Sequence, residues 1–211
     1  MSRYTLHCFA QSGNAAKAAL MLSICEADWT PRFVDFFNGE TRTPEYLAIN
    51  EMGEVPVLEG DGLRLTQTGV ILDYLAGKSG RLGHESEEER REILRWILFD
   101  NHKLTSYLAT LRFMTRFMKV GETSVTAFLR ERAERALAVL DSHLEGRDFA
   151  IGARPTIADI SMCGYLFWPD EYDLDWDTWP RVQAWLDRIR ALPGWVHPYE
   201  LMPGHPLPDR G

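Results

Sequence analysis

Gly53-Glu54-Val55-Pro56-Val57-Leu58, followed by Gln67-Thr68-Gly69-Val70-Ile71-Leu72, is the stretch whose reading decides the fold. The first run is a short strand interrupted by proline. Proline has no N–H to give a ladder, so Pro56 is expected at a sheet edge or a bend. An X-Pro bond is also where a cis peptide is tolerated. A cis bond there would turn the Val55 N–H and C=O outward, ready to pair with an extended peptide. Gly60-Asp61-Gly62 signals a hairpin between strands at 55–59 and 63–66. Thr68 then opens a helix running to Gly77, whose unpaired N–H groups attract a carboxylate. Together the two runs predict a binding place for a small anionic peptide.

Upstream, Tyr4 to Phe9 reads as a strand and Asn14 to Ala27 as a helix, with Ala16, Ala19, Leu20 and Ile24 on one face. Pro31 to Phe37 is a second strand, rich in β-branched and aromatic residues. That makes a βαβ unit, whose two strands should be parallel. Thr43-Pro44 is a cap followed by proline at the first helical position, starting a short helix to about Ile49. The order βαβαββα therefore fills residues 1–78. Gly77-Lys78-Ser79-Gly80-Arg81-Leu82-Gly83 is a polar, glycine-rich linker.

Beyond the linker the signal is helical throughout, and a second, all-helical domain is expected over 84–205. Ser86-Glu87-Glu88-Glu89 is a cap with acids in the first turn. Ile93, Ile97, Leu104, Leu108 and Leu111 continue one long element to about Phe117. Val125, Leu129, Ala136, Leu140 and Leu144 mark another helix. Two more are read from Thr156 to Phe167 and from Pro180 to Ala191. A short turn near Trp195 and a tail with Pro203, Pro206 and Pro208 close the chain. Thr156-Ile157-Ala158-Asp159 is a capping box, with Pro155 and Ile160 placed as a staple. The box alone predicts a loss of about 0.5–2 kcal/mol for Asp159→Ala.

Composition bounds the function. The chain has 211 residues, 45% hydrophobic and 26% charged, as in ordinary globular proteins. A formal charge of −8 speaks against nucleic acid or an anionic membrane as partner. No apolar run approaches the roughly 20 residues that span a bilayer. Met1-Ser2-Arg3 leads directly into strand pattern, so no secretory signal is expected. Cys8, Cys25 and Cys163 form neither CxxC nor metal spacing, which suits reduced thiols in the cytoplasm and predicts no metal.

The ordered set of motifs resembles the cytosolic glutathione S-transferase family, in its bacterial, serine-type form. The N-terminal unit resembles a thioredoxin-like domain. Asn50-Glu51-Met52-Gly53-Glu54-Val55-Pro56-Val57-Leu58 resembles that family's N-P-x-G-x-V-P-x-L signature. Gln67-Thr68 with Ile71, Leu72, Tyr74, Leu75 and Ala76 resembles its (E/Q)-S-x-A-I-x-x-Y-L-A run. Ile151-Gly152 and the capping box resemble those of its helical second domain. The resemblance implies a glutathione transferase with glutathione as co-substrate, a small hydrophobic electrophile as the other substrate, and a homodimer.

Residue by residue, the resemblance implies that Val55, ahead of Pro56, pairs its backbone with the cysteinyl part of glutathione. Gln67 and Thr68 would hold the γ-glutamyl group, and Arg42 the glycine carboxylate. An ordinary helix cap and a solvated surface charge are the alternatives for these two features. Ser12-Gly13-Asn14-Ala15-Ala16-Lys17 resembles the serine-type S-x-x-x-x-(K/R) start. Ser12 would donate its hydroxyl to the glutathione thiolate, with Asn14 as second donor or orienter; a plain capping role for Ser12 is the alternative. In a tyrosine-type alignment Cys8 stands where the tyrosine would be. An electrophile pocket between the domains is expected to draw on Asn101, His102, Tyr107, Arg112, Phe113 and Trp168. Glu51, Glu54 and Thr68 depart from the family pattern. Glu54, Thr68 and the absence of the family's tyrosine or cysteine keep open a non-catalytic binding protein, and Cys8 keeps open a glutathione-dependent thiol–disulfide reductase or peroxidase.

Overall fold

The computed structural model describes residues 4–206, so Met1, Ser2, Arg3 and Pro208 lie outside the described residues. Among these residues it divides into two compact units: 4–83 with 192–206, and 84–191.

The first unit is built on a four-stranded sheet in the order β2-β1-β3-β4. β1 (Tyr4–Cys8) runs parallel to β2 (Trp29–Phe33), Tyr4 facing Trp29 and Cys8 facing Phe33. The connecting α1 (Gly13–Ile24) is buried along nearly its whole length. β3 (Val57–Gly60) pairs antiparallel with β1 and with β4 (Leu63–Thr66). α2 (Pro44–Leu47) is capped by Thr43, whose Oγ1 accepts from Tyr46 N–H. α3 (Thr68–Ser79) packs on α1 and ends in a left-handed Gly80. This βαβαββα order is the one the sequence predicts.

Two boundaries differ instructively. The strand expected at 31–37 lies at 29–33, because Phe36 and Phe37 turn out of the ladder into an aromatic cluster with Phe9. The proline-bearing strand, expected from residue 55, begins at Val57, and of the edge or bend expected for Pro56 it is the bend that holds, since β3 is interior. Pro56 stands just ahead of its first residue, so the missing N–H falls outside the ladder. The Val55–Pro56 bond is cis. Gly53 has φ +62°, and a Cβ there would meet the Thr41 carbonyl oxygen at 2.9 Å, so this loop position requires glycine.

In the second unit one long helical element runs from α4 (Glu87–Phe99) through a π-helical segment (Asp100–Leu104) into α5 (Thr105–Arg112) and a second π-helical segment (Phe113–Phe117). Buried Asp100 accepts from Thr105 Oγ1 (2.7 Å) and Ser161 Oγ (2.6 Å) at the first of these. α6 (Ser124–His143) follows, then α7 (Ile157–Cys163) and α8 (Pro180–Arg190). α7 stops four residues short of the expected Phe167. Asp159 lies at the centre of this unit, fully buried, taking Ala150 N–H, Thr156 N–H and Trp185 Nε1–H, each at 2.8 Å.

The last segment, 192–206, groups with the first unit, whereas the sequence reading carried the helical domain to residue 205. α9 (Pro198–Leu201) packs on α1, and Ser23 Oγ donates to Gly194 O at 2.6 Å.

Candidate functional site

Helix N-termini are sites of unpaired, oriented N–H groups. In the first unit two of them meet. α1 starts directly after β1 and a tight turn closed by Ser12 N–H to Phe9 O (3.0 Å). Ser12 caps α1: its Oγ accepts from Ala15 N–H at 3.2 Å. Among the described residues nothing accepts the Ser12 hydroxyl proton. The side chain is buried at 7% exposure.

Asn14, in the first turn of α1, uses Oδ1 to accept from the fully buried Lys17 Nζ at 3.0 Å, which leaves its amide N–H2 directed elsewhere. Its backbone carbonyl accepts from Thr68 Oγ1 at 3.4 Å, and this bond joins the starts of α1 and α3. Gln67, the cap of α3, sits at φ 64°, a left-handed conformation costly for a residue with a side chain. Its Nε2 donates to Glu54 Oε2 (3.2 Å) and lies 3.0 Å from Met52 Sδ.

From Glu54 the cluster reaches Val55. Among the described residues neither the N–H nor the C=O of Val55 takes a hydrogen bond, and the residue is half-buried. Tyr46 OH (3.0 Å) and Asn50 Nδ2 (2.8 Å) both donate to the Glu54 carbonyl and so fix the peptide ahead of Val55. Asn50, which opens the motif run, is buried, unusual for an asparagine, and its amide is taken up by this contact.

The structure thus brings Ser12, Asn14, Thr68, Gln67 and Val55 into one chain of contacts. Arg42 is exposed and without a partner among the described residues, on a 3-10 turn (Glu40–Arg42). The neighbouring Thr41 carbonyl packs on Gly53, so the turn adjoins the Val55 loop.

Cys8 ends β1 at 0% exposure, and burial pushes its thiol up to about 12. It is a thiol, not a thiolate, near neutrality. Cys25 and Cys163 are likewise free and buried. A cavity of about 160 Å³ lies at the far ends of β1 and α1 from Ser12, against Tyr4 and Cys25. Its Asp61 already accepts from the Tyr4 and Tyr74 hydroxyls and from Lys78. No group of His, Cys, Asp and Glu suited to a metal occurs among the described residues.

The six residues named for an electrophile pocket fall in the helical unit and divide there. Asn101, His102 and Phe113 are exposed, and Tyr107 is half-buried. Arg112 and Trp168 are buried and engaged with each other, the guanidinium 3.9 Å above the indole. Arg112 also pairs with Glu171 at 2.7 Å.

Comparison with known proteins gives this geometry its family. The family described as glutathione S-transferase, N-terminal domain, matches residues 2–77, and that of the C-terminal domain matches residues 102–193. A structure from Rhodopseudomonas palustris, described as a possible glutathione S-transferase, is 35% identical with a TM-score of 0.87, covering 92% of this chain and 97% of that one. A glutathione transferase family member from Pseudomonas fluorescens with two glutathione bound is 27% identical with a TM-score of 0.81, over 90% of this chain and 89% of that one. Elongation factor 1-gamma of Rattus norvegicus is 28% identical over 174 residues, 80% of this chain and 39% of that protein. The chain thus spans about two-fifths of the length of the curated relatives it matches. On these matches and this fold, the chain belongs to the glutathione S-transferase family.

Proposed function

We propose that the protein binds reduced glutathione at the junction of α1 and α3 and conjugates it, through its sulfur, to a small hydrophobic electrophile. The unpaired N–H and C=O of Val55 pair with the cysteinyl residue of the tripeptide as a short stretch of β-ladder. The start of α3 takes the γ-glutamyl carboxylate through the N–H of Thr68 and through its hydroxyl, which turns from its long bond to Asn14 O, with Gln67 beside it; a helix N-terminus favours a negative group there. Arg42 meets the glycine carboxylate. Held this way, the sulfur lies at the start of α1.

Ser12 then donates its hydroxyl hydrogen to the thiolate, and the Asn14 amide supplies a second donor. A free thiol ionises near pH ~8.5, so stabilising the anion raises the nucleophilic fraction at neutrality. The thiolate attacks the electrophilic carbon and forms the C–S bond; the leaving group departs with the electron pair. The observation that carries the reading is a buried serine hydroxyl whose oxygen is committed to a helix cap and whose proton has no acceptor. A two-fold homodimer, read by light scattering as about twice the 24.2 kDa chain mass, belongs to the same reading, as does a reducing, cytoplasmic setting for the three free cysteines.

Ser12→Ala is expected to lower turnover at least tenfold, about 1.4 kcal/mol in barrier, while glutathione affinity stays within about twofold. Ser12→Thr, which keeps both the cap and a hydroxyl, should restore part of the rate. Unchanged turnover in Ser12→Ala removes Ser12 from the mechanism. The likeness to elongation factor 1-gamma favours a second reading, a glutathione-fold module that catalyses nothing. Retention on immobilised glutathione without turnover of a chromogenic aryl halide would select it. Burial of Cys8 speaks against thiol–disulfide exchange through that residue.

A further inference from the structure

The residues directly ahead of Ser12 are held by a segment nearly two hundred positions away in sequence. Ala10 N–H donates to Pro203 O at 2.8 Å. Gln11, 4% exposed, makes a reciprocal pair with the backbone of one residue: Nε2 donates to His205 O (2.7 Å) and Oε1 accepts from His205 N–H (3.1 Å). The contact is too close for a side chain between them. A Cβ on Gly204 would stand 2.8 Å from Ala10 Cβ and 2.9 Å from Gln11 Oε1.

The far end of the segment is anchored as firmly. The His205 ring lies among Phe9 (5.7 Å), Phe33 (5.1 Å) and Phe37 (4.4 Å). Its Nε2 accepts from Phe37 N–H at 3.5 Å, and its Nδ1 lies 3.6 Å from Asp35. Behind it Met202 is buried.

A three-residue strap therefore grips two consecutive residues of the turn whose next member is Ser12. The turn itself carries one backbone bond, Ser12 N–H to Phe9 O, and the helix cap. A hydroxyl donor must sit within about 3 Å of the sulfur to stabilise it, and a displacement of about 1 Å in a supporting element is enough to lose such a contact. We infer that Pro203–His205 is a positioning element for Ser12, with Gln11 as the residue through which it acts, so that thiol ionisation depends on the strap while glutathione binding does not. This rests on the proposed role of Ser12.

Two full-length variants test it from opposite sides: Gln11→Met, which keeps the volume and removes the paired bonds, and Gly204→Val, which drives the strap off the turn. The thiolate of bound glutathione is titrated by its ultraviolet absorbance, and affinity is measured by calorimetry with S-methylglutathione, which needs no ionisation. The expected result in either variant that melts cooperatively is a bound-thiol pKa raised by about one unit toward the free value, tenfold less thiolate at low pH, with affinity within about twofold. A thiolate titration identical to wild type in both variants overturns the strap's role and leaves Ser12 standing. Wild-type protein that binds the tripeptide without ionising it overturns the reading of Ser12, and the strap's role with it. Loss of affinity in step with loss of thiolate means the strap only supports the fold, and also refutes the inference.

Discussion

Asp159→Ala should damage this protein far more than a helix cap is worth. A capping carboxylate contributes roughly 1 kcal/mol, and the sequence alone supports no larger figure. In the structure Asp159 has no exposure, and its two oxygens serve three elements. Oδ2 takes Thr156 N–H, the cap proper; Oδ1 takes Ala150 N–H and Trp185 Nε1–H from α8. Burial pushes its pKa up, while these donors pull it back down. Truncation leaves two further donors buried with no acceptor, at about 1–3 kcal/mol each, so the loss comes to about 4 kcal/mol. That is a large share of the ~5–15 kcal/mol by which a domain is held folded. Urea unfolding followed by tryptophan fluorescence and circular dichroism reads the change as a lowered midpoint at constant slope. Thr156→Ala is the control: it removes only the local cap and should cost about 1 kcal/mol. A loss below about 1.5 kcal/mol for Asp159→Ala would mean that Ala150 and Trp185 find other acceptors, and would refute the account of Asp159 as a three-way junction.

Two further outcomes follow from the helical unit. Arg112 and Glu171 pair at 1% and 8% side-chain exposure, so Glu171→Leu removes a carboxylate from beside a buried cation and should cost about 3–5 kcal/mol; the double variant Arg112→Met, Glu171→Leu should unfold at higher urea than that single variant, and additive losses would contradict a buried pair. His143, which donates to Ala150 O and packs under Trp96, is held below its ordinary 6.5, chiefly by burial. The unfolded chain therefore takes up its proton first as pH drops, so the stability from His143 is whole above 6.5 and is lost as pH falls through the lowered folded value. Thermal midpoints should decline over that range and decline less in His143→Gln, with a residual slope from His205, which burial also holds low; parallel curves for the two proteins would count against this.

What could be read from the chain was local. Thr43-Pro44, Ser86 and Thr156 all cap helices in the structure through their own side chains, because a cap is written within four residues. The hairpin at Gly60-Asp61-Gly62 is legible for the same reason, and the parallel β1–β2 pair follows from the βαβ order. α8 shows the limit. Its cap position, Trp179, offers no side-chain bond, and its first N–H groups are taken by Asp141 from α6, at 2.8 Å and 3.1 Å. No short window of sequence contains that pairing. The candidate site divides the same way. Ser12, Thr68 and Val55 stand out by motif and by position at element ends, whereas Gln11 has no local signal, since its partner is His205. Arg112 is buried although arginine on a helix is usually exposed. Only the distant Glu171 explains its burial.

The first compact unit is not continuous in the chain: roughly a hundred residues of helical unit are inserted before its last piece, 192–206. During synthesis at about 5–20 residues per second, the sheet and α1 wait on the order of ten seconds for α9 and the residues after it. Through that interval the turn before Ser12 is unclasped and the seat of Met202 is open to water. The newborn sheet is thus complete in outline long before the protein is, and quality control on the ribosome meets it in that unfinished form.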